Sequence, residues 1–425
     1  MQHLCDTITK TLQNPSSSDP IHECGTAATS LILRRPDDLI RLAHDKIYSF
    51  PFSKVPACWR RLYTDASIIK AVLAIKSHLA DANPHKAIHP DDEWLTDVVK
   101  LLDMALIMTG APLREPMIEQ LIQALQTQPA PARPRKRRKV AVEEEEARFP
   151  VSAVASAPEI HFPISRRPAL SLSAFEKHLQ TPTPLVIQDA LAHWPALHER
   201  PWKSPAYLTA QTFGGRRLIP VEIGRSYTDE GWGQSIITFE EFMRRYLLGE
   251  SPPGKTGYLA QHDLFAQIPA LRKDISVPDY CYTCPPPPGV GTPLAGKDVP
   301  RLEEPLLNAW FGPAGTISPL HSDPYHNILC QVVGKKYVRL YDPHESGKLY
   351  PRGFEEGGID MGNTSQVDVE AMGQGGPSDS GFPLFREAAY VETVLSEGEC
   401  LYIPVGWWHY VRSLTVSFSV SFWWN

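Results

Sequence analysis

The sequence predicts an α+β protein of more than one domain, with an α-helical module first and an all-β domain after it. In the N-terminal part, apolar residues recur at three- and four-residue spacing, as on one side of a helix. From about residue 155 onward they fall in short runs between Gly and Pro turns. A proline-rich and charged stretch separates the two patterns. We therefore expect a helical module over residues 1–127, a disordered linker over 128–154 and a β-rich domain over 155–425.

Composition excludes several classes of protein. The 425 residues include 42% hydrophobic and 21% charged residues, so wholesale disorder, collagen and coiled coil are excluded. There is no apolar run of the roughly 18 residues that a membrane-spanning helix needs, and we expect neither a membrane association nor secretion. Seven scattered cysteines favour a reducing compartment over a disulfide framework. The net charge of −6 predicts no direct sequence-specific binding of nucleic acid.

Residues 25–127 have the pattern of a helical bundle. One helix follows Asp65, a second begins in the acidic turn at residues 90–93 and stops near Gly110, and a third runs from about Glu115 through Leu125. The first stripe contains Ile68, Ile69, Val72, Ile75 and Leu79, and the second contains Trp94, Leu95, Val98, Leu101, Leu102 and Ala105. Such stripes are typical of a core, so we interpret this module as a bundle without a catalytic role.

The linker carries a basic cluster followed by the acidic run Glu143–Glu146. The cluster contains Arg133, Arg135, Lys136, Arg137, Arg138 and Lys139. Clusters of this kind bind nuclear import receptors, and the acidic run could screen the cluster from nucleic acid. We interpret it as a nuclear-import signal rather than a DNA-binding arm, with a solvated linker of no function as the alternative. The expected location is the nucleus, and the cytoplasm is also compatible with the sequence.

The β-rich part is most regular at its end. Thr415, Ser417, Ser419 and Ser421 alternate there with large apolar residues, which predicts a strand with a small polar face and a large apolar face. Shorter strand-like runs occur at residues 185–187, 218–223, 331–333, 337–341 and 400–404, and a helical insert lies at 238–249. Many short strands between Gly/Pro turns are typical of a sandwich or barrel, the jelly-roll and cupin architectures included.

Three residues could bind a metal ion. In the segment His321-Ser322-Asp323, period-2 geometry allows the imidazole and the carboxylate to reach one point. His409 follows a strand and turn, from which a second strand could deliver it. Two histidines and one carboxylate form the facial ligand set of non-haem Fe(II) oxygenases. A His-x-Asp triplet alone is weak support for this interpretation, and His409 alone is as well explained as a half-buried histidine between aromatic residues.

Lys336 lies in a run that is otherwise apolar. A lysine inside a barrel needs an anion, because an unpaired buried ammonium is very costly. The carboxylate of a co-substrate could supply it, with Ser318, Asn327 and an upstream tyrosine as further donors. The alternative is that Lys335 and Lys336 are both solvent-facing hairpin charges.

Several separated blocks, in order, resemble the JmjC-domain oxygenases. They are WFGPAGTISPLHSDP, GKKYVRLY, NTSQVDVE, GECLYIPVGWWHYVRSL and SFSVSFWW. The resemblance covers about residues 155–425 and extends weakly into the helical module at CWRRLYTDAS. It implies a JmjC catalytic domain with a double-stranded β-helix fold, which binds Fe(II) and uses 2-oxoglutarate and O₂ as co-substrates.

The resemblance also implies roles for individual residues. The metal ligands would be His321, Asp323 and His409. The 2-oxoglutarate site would contain Tyr258, Ser318, Asn327, Lys336 and Trp310. The candidates for gripping a cationic substrate side chain are Glu222, Trp232, Tyr227, Gln261 and Trp423. Independently of the resemblance, Glu222 lies on an otherwise apolar strand and needs a cationic or hydrogen-bonding partner if it points inward.

The sequence departs from the family pattern in three places. His326 stands where other polar residues are expected, and we do not assign it as a ligand. The loops at residues 281–300 and 372–381 are longer than their counterparts. Cys281 and Cys284 form a CxxC pair without a second pair nearby, so we do not expect zinc.

The function implied is hydroxylation of a protein side chain, with an arginyl residue of a histone, ribosomal or chromatin protein as the leading substrate. Demethylation of a histone N-methyl-lysine by the same chemistry is an alternative, because a carboxylate beside aromatic residues suits either cation. A non-catalytic chromatin or scaffold protein with a cupin core is another alternative, and a small-molecule cupin enzyme is a weaker one.

Overall fold

A computed structural model gives the fold. It describes residues 1–51, 54–81, 92–127, 148–150, 158–228, 231–249, 256–355, 358, 360–372 and 381–425. The chain forms two compact units. The first contains residues 1–145 with the short segments 212–219 and 238–240, and the second contains the remainder. The basic cluster at residues 133–139 and most of the loop at 372–381 lie outside the described residues.

The first unit is helical. Its helices are α1 (Gln2–Gln13), α2 (Thr26–Ser30), α3 (Pro36–Tyr48), α4 (Ala57–Asp81), α5 (Glu93–Thr109) and α6 (Glu115–Gln126), with a 3₁₀ turn at Pro20–Cys24. The apolar stripes of α4, α5 and α6 lie in one core. Gly110 ends α5 in the left-handed conformation, at a φ of 68° that favours glycine.

A network of four charged side chains lies in the helical core. Arg61 is fully buried and bonds to Asp65 (Nη1–Oδ1 2.7 Å) and to Asp19 (Nη2–Oδ2 2.9 Å). Arg114 reaches the same two carboxylates at 3.2 and 3.3 Å. Two guanidinium groups and two carboxylates therefore neutralise one another where water is excluded.

The sequence did not predict that a later segment would complete the helical unit. Arg217, far along the chain, forms a bidentate pair with Asp103 of α5 (2.7 and 3.0 Å), and the Leu218 amide donates to the same carboxylate at 2.7 Å. Asp103 is fully buried, and this segment supplies a guanidinium and a backbone amide to its carboxylate. The pattern of α5 gave no means of finding a partner so distant in sequence.

The second unit contains the strands. They are β1 (Arg166–Pro168), β2 (Leu185–Gln188), β3 (Leu218–Ile223), which begins in the 212–219 segment, β4 (Gly233–Thr238), β5 (Gly257–His262), β6 (Leu306–Gly312), β7 (Ile317–Ser322), β8 (His326–Val333), β9 (Lys335–Tyr341), β10 (Tyr390–Ser396), β11 (Cys400–Ile403), β12 (Trp408–Ser413) and β13 (Ser417–Trp424). Its short helices are α7 (Leu172–Leu179), α8 (Pro205–Gln211), α9 (Phe239–Phe242), α10 (Leu264–Gln267) and α11 (Pro269–Arg272), with a π-helical turn at Met243–Leu247. Single 3₁₀ turns lie at Pro195–Leu197, Asp279–Tyr282, Pro343–Lys348 and Pro383–Glu387.

Two sheets make up the β architecture. A nine-stranded sheet has the order β1-β2-β11-β8-β13-β6-β5-β3-β4, and a four-stranded sheet has the order β10-β9-β12-β7. Most pairs are antiparallel. Consecutive strands of the chain alternate between the two sheets from β6 to β9 and again from β10 to β13, as in a jelly roll. The predicted fold class, a helical region followed by a β-rich cupin-type domain, is confirmed.

Strand β13 is buried on both faces. Its serines are inaccessible to solvent and bond to buried polar groups: Ser419 donates to Gln331 (2.7 Å), and Ser417 accepts from the amide of the same Gln331 (2.9 Å). On the opposite face, Phe418 stacks on Phe311 with ring centroids 4.4 Å apart. Both the small polar face and the large apolar face predicted from the sequence are therefore buried, and β13 pairs with β8 on one side and β6 on the other.

No helix among the described residues is both long and apolar enough to cross a membrane.

We expect Asp65→Ala to destabilise the helical unit by about 3–5 kcal/mol, because it leaves two buried guanidinium groups with one carboxylate. Hydrogen exchange of the α4 amides over a urea series measures this local stability in the full chain. The matched control is Asp37→Ala, whose ion pair with Lys70 is exposed and should contribute little. Equal effects of the two substitutions would contradict a structural role for the buried network.

Candidate metal and co-substrate site

Three potential ligand side chains meet between the two sheets. His321 ends β7 and His409 lies directly opposite it on β12, with ring centroids 4.2 Å apart. Asp323 follows His321 by two residues, and its carboxylate oxygens lie 3.9 Å from His321 Nε2 and 3.5 Å from His409 Nε2. The three ligand atoms lie within 4.8 Å of one another. Ligand atoms at this spacing can coordinate a single metal ion.

Backbone hydrogen bonds orient both imidazoles. The Nδ1 atom of His321 lies 2.7 Å from the Pro319 carbonyl, and that of His409 lies 3.1 Å from the Trp407 carbonyl. A carbonyl accepts only, so each Nδ1 carries a proton and each Nε2 is the nitrogen left to face the centre. Bonds of this kind fix the tautomer of metal-ligating histidines.

The peptide of Asp323 is anchored to the loop that precedes β12. The Gly406 amide donates to the Asp323 carbonyl at 3.0 Å. Gly406 has a φ of 76°, and a side chain there would press on Leu294 at 3.2 Å. Burial raises the pKa of the Asp323 carboxyl, while His321 opposes this shift. Burial, followed by the nearby His321, holds the pKa of His409 well below its usual value, so this ring is neutral and free to coordinate.

Lys336 lies deeper in the same space. It is 1% exposed, whereas Lys335 beside it is exposed, so one of the two lysines points inward as predicted and the other into solvent. Its Nζ donates to the Tyr258 hydroxyl at 3.2 Å, and no carboxylate of the described residues forms an ion pair with it. Burial lowers the pKa of this ammonium to about 7. An anion bound here would restore the charged form.

The remaining co-substrate candidates line the same cavity. Ser318 bonds to the Tyr258 hydroxyl and opposes the rise that burial causes in the pKa of that phenol. Asn327 is 5% exposed, and its buried Oδ1 accepts no hydrogen bond from the residues that the structure describes. Trp310 donates its indole N–H to Ser421 at 2.9 Å. The cavity is completed by three apolar side chains that the sequence analysis did not single out, Leu329, Ile403 and Val411.

Of the substrate candidates, Glu222, Trp232 and Tyr227 form a second group. The Trp232 indole N–H donates to Glu222 at 3.4 Å, and burial raises the pKa of that carboxyl. The electrostatic influence of both Asp323 and Glu222 reaches the Tyr227 phenol, whose pKa burial raises to about 12 and whose bond to Thr364 opposes that rise. Tyr227 thus lies near both carboxylates.

Gln261 and Trp423 are placed differently. Gln261 is exposed, at a φ of 48° within an irregularity of β5, and no hydrogen bond of its side chain links it to the carboxylate group. Trp423 is 7% exposed, stacks on Tyr325 at 5.9 Å and has a buried indole N–H without a partner. The sequence analysis missed Tyr325, and it missed Thr364, which pairs with His321 in an isolated β-bridge.

His326 is excluded from the ligand cluster. Its Nδ1 bonds to the Tyr402 hydroxyl at 2.8 Å, its ring is parallel to that of Tyr402, and burial lowers its pKa to about 3. Cys281 is buried and Cys284 is exposed, and among the described residues neither belongs to a cluster of three or more potential metal ligands.

The side chains present fit a divalent metal ion together with an anionic co-substrate. Two imidazole nitrogens and one carboxylate oxygen converge at one end, the donor set of a non-haem Fe(II) centre. A buried ammonium without a counter-ion and an unpartnered amide oxygen occupy the other end. A short diacid could bridge the two ends.

Comparison with known proteins agrees with the fold and the site. Residues 171–425 match the cupin-like domain family. The chain is 37% identical to lysine-specific demethylase 8 of Danio rerio, over 92% of this chain and 87% of that protein. The chain therefore belongs to the cupin-like JmjC-domain oxygenases, a family of 2-oxoglutarate-dependent enzymes that use Fe(II).

Two further relatives show the range of names within the family. Jumonji C domain-containing protein 5 of Drosophila melanogaster is 32% identical over 90% of this chain and 84% of its own length. The human bifunctional peptidase and (3S)-lysyl hydroxylase JMJD7 is 26% identical over 67% of this chain and 90% of its own length. The chemistry named for these relatives includes both demethylation and hydroxylation.

We expect Asp323→Ala to weaken divalent-metal binding by more than the roughly 10- to 100-fold that loss of an outer-shell partner costs. Cobalt(II) titration of the full chain, followed by visible absorption and calorimetry, measures the change. The control is His344→Ala, which removes an exposed histidine bonded to Asp342. Undiminished cobalt affinity in Asp323→Ala would place the metal elsewhere.

Proposed function

We propose that this chain binds Fe(II) through His321, Asp323 and His409, binds 2-oxoglutarate beside Lys336 and hydroxylates an arginyl side chain of a protein substrate. The metal and 2-oxoglutarate, when bound with O₂, would supply the oxidant for C–H hydroxylation. The chain's own contribution is to hold the metal on one side, hold the co-substrate and present one C–H bond of the substrate. The observation that carries the assignment is the convergence of His321, Asp323 and His409 in a cavity whose other end contains the uncompensated ammonium of Lys336.

Lys336 and Tyr258 would hold the distal carboxylate of 2-oxoglutarate. Both are buried, and their hydrogen bond at 3.2 Å already positions two donors side by side. Ser318 and Asn327 would add polar contacts, and Trp310 would form part of the wall. An ammonium and two hydroxyls in a dry site are well suited to a carboxylate.

The environment of Glu222 supports the proposal that the substrate side chain is cationic. It is a half-buried carboxylate that accepts from Trp232, and no basic side chain of the described residues bonds to it. A substrate guanidinium could donate in a planar fork to this carboxylate while lying against the indole. Tyr227 lies close enough to influence both this carboxylate and Asp323, and the cation would therefore enter beside the metal.

Demethylation of an N-methyl-lysine is the second candidate, favoured by relatives in Danio rerio and Arabidopsis thaliana that are named lysine-specific demethylases. Hydroxylation of a methyl group would give a carbinolamine that releases formaldehyde. A methylated ammonium is held best by several aromatic faces. The group at Glu222 supplies one carboxylate and the rings of Trp232 and Tyr227, which suits a hydrogen-bonding guanidinium better.

For the intact protein we propose import into the nucleus through the basic cluster at residues 133–139. The substrate would then be a histone, ribosomal or chromatin protein. A fluorescent fusion with residues 133–139 changed to glutamine tests this proposal.

The affinity for 2-oxoglutarate should fall with rising pH. Burial lowers the pKa of Lys336 to about 7 in the free protein, and the charged amine is the form that binds a carboxylate. Above pH 7 binding must first protonate the amine, so affinity should drop by about tenfold per pH unit. Calorimetry of 2-oxoglutarate binding to the manganese(II)-loaded protein measures this slope.

The control for the pH experiment is Lys336→Met, which keeps the length of the side chain and removes the charge. This variant should bind 2-oxoglutarate weakly, and its affinity should not fall as the pH rises. A wild-type affinity that stays flat between pH 7 and 9 would contradict the role of Lys336.

Mass spectrometry of peptides tests the reaction itself. After incubation with the protein, Fe(II), 2-oxoglutarate and ascorbate, an unmodified arginyl peptide should gain one oxygen. Glu222→Gln should raise its KM by roughly 10- to 100-fold, the effect of losing a charged hydrogen bond. His321→Ala should form neither product nor succinate.

Two other outcomes would change the conclusion. Loss of a methylene with formaldehyde from a methyl-lysyl peptide, and no oxygen on the arginyl peptide, would make the protein a demethylase. Iron-dependent succinate formation retained in His321→Ala would contradict the assigned ligands.

A further inference from the structure

A groove lies on the outer side of the segment that carries Asp323. It has a volume of about 550 Å³ and is lined by Cys284, the proline run 285–288, residues 297–299, Arg301, Pro324, His326, Val405 and Asn425. This volume is in the range of pockets that bind ligands. The groove contains none of the residues that line the metal and co-substrate cavity.

The groove and the metal site share one wall. The chain bends at Pro324 and Tyr325 between β7 and β8. Asp323 and Asn327 line the metal and co-substrate cavity, whereas Pro324 and His326 line the groove. Val405 of the groove also directly precedes Gly406, whose amide bonds to the Asp323 carbonyl. The groove therefore begins at the rim of the metal site.

The walls of the groove are fixed before anything binds. Asn425 accepts from the Leu302 amide at 2.9 Å and donates to the Pro300 carbonyl at 3.1 Å. Tyr325 donates to the same carbonyl at 3.2 Å and stacks on Trp423. Four consecutive prolines form another wall and cannot donate backbone hydrogen bonds. A rigid wall of this kind reduces the entropy cost of binding an extended chain.

Two cations lie on the rim of the groove. Lys297 and Arg301 are exposed, and neither forms an ion pair or side-chain hydrogen bond with another described residue. Asp298 is the one acidic side chain of the lining. Burial lowers the pKa of His326 to about 3, so that histidine adds no charge. The rim therefore favours an acidic ligand over a basic one.

We propose that this groove binds the main chain of the protein substrate beside the reacting residue, and that it selects segments with acidic side chains for Lys297 and Arg301. The proposal rests on the proposed function, because the substrate side chain would enter the metal site across the shared rim. The metal site would then recognise the reacting side chain, and the groove would recognise its neighbours in the sequence.

The test measures binding, without iron or O₂. Short fluorescein-labelled peptides contain one central unmodified arginine, with acidic, glutamine or lysine flanks on either side, and fluorescence anisotropy gives their affinity for the full chain. The acidic flanks should bind about tenfold more tightly than the glutamine flanks at low salt, and this difference should shrink as salt is raised. The double substitution Lys297→Glu with Arg301→Glu should remove this preference and favour the lysine flanks.

The matched control is Lys335→Glu, which reverses an exposed charge on β9 and should leave the preference unchanged. Equal affinities for all flanks in the wild type, or an unchanged preference in the double variant, would overturn the proposal. So would a change of oligomeric state in the double variant without a change in peptide affinity, because the groove would then be a contact between copies.

Peptides with a central glutamine separate this proposal from the proposed function. Loss of the central arginine should weaken binding by a factor that does not depend on the flanks, because the two contacts are distinct. If the flank preference is found but no oxygen is transferred, the groove is established and the reaction is wrong. If oxygen is transferred without a flank preference, the reaction is established and the proposal for the groove is wrong.

Discussion

The buried ammonium of Lys336 is the constraint on which the rest of the site depends. A charge in a dry interior is costly unless it is paired, and among the described residues its nearest partner is the hydroxyl of Tyr258. An apolar residue in its place, such as Val338 two positions along, would not carry this cost. A ligand that brings its own negative charge gains the attraction without first breaking an internal ion pair. The energetic cost of the unpaired ammonium in the free site therefore favours the binding of an anion over a neutral ligand.

The sheets place this ammonium at a defined depth below the metal site. Lys336 lies on β9, opposite Ser413 of β12, and His409 begins the same β12 that pairs with His321 of β7. Strands of one sheet therefore hold the metal ligands at one end and the cation below them. The other sheet supplies Trp310, Asn327 and Tyr258 across the cavity. Because strand register is fixed by many buried side chains, the separation between the two ends is set by the fold rather than by a loop.

Sequence periodicity is a local property. It predicted the fold class and drew attention to His321, Asp323 and Lys336, whereas Tyr258 and most of the substrate candidates came from the resemblance to the JmjC-domain oxygenases. His321 and Asp323 could be paired from their spacing, and Lys336 from its apolar neighbours. Contacts between distant segments could not be predicted in this way. The pairing of His409 with His321, the burial of the serines of β13 and the bond between Arg217 and Asp103 all depend on which strand lies beside which. Gln261 shows the same limit, since an irregularity in β5 rather than its neighbours decides its exposure.

His326 illustrates how neighbouring residues of one short segment can line two different sites. It lies five residues after His321, and its residue type alone would make it a candidate ligand. The side chains of Asp323 and Asn327 take the inward positions, so His326 is directed away, where it packs on Tyr402 and lines the groove. A substitution of Pro324 or His326 would therefore alter the groove without removing a metal ligand or a co-substrate contact. Recognition of the sequence around a substrate residue can change in this way while the chemistry stays the same.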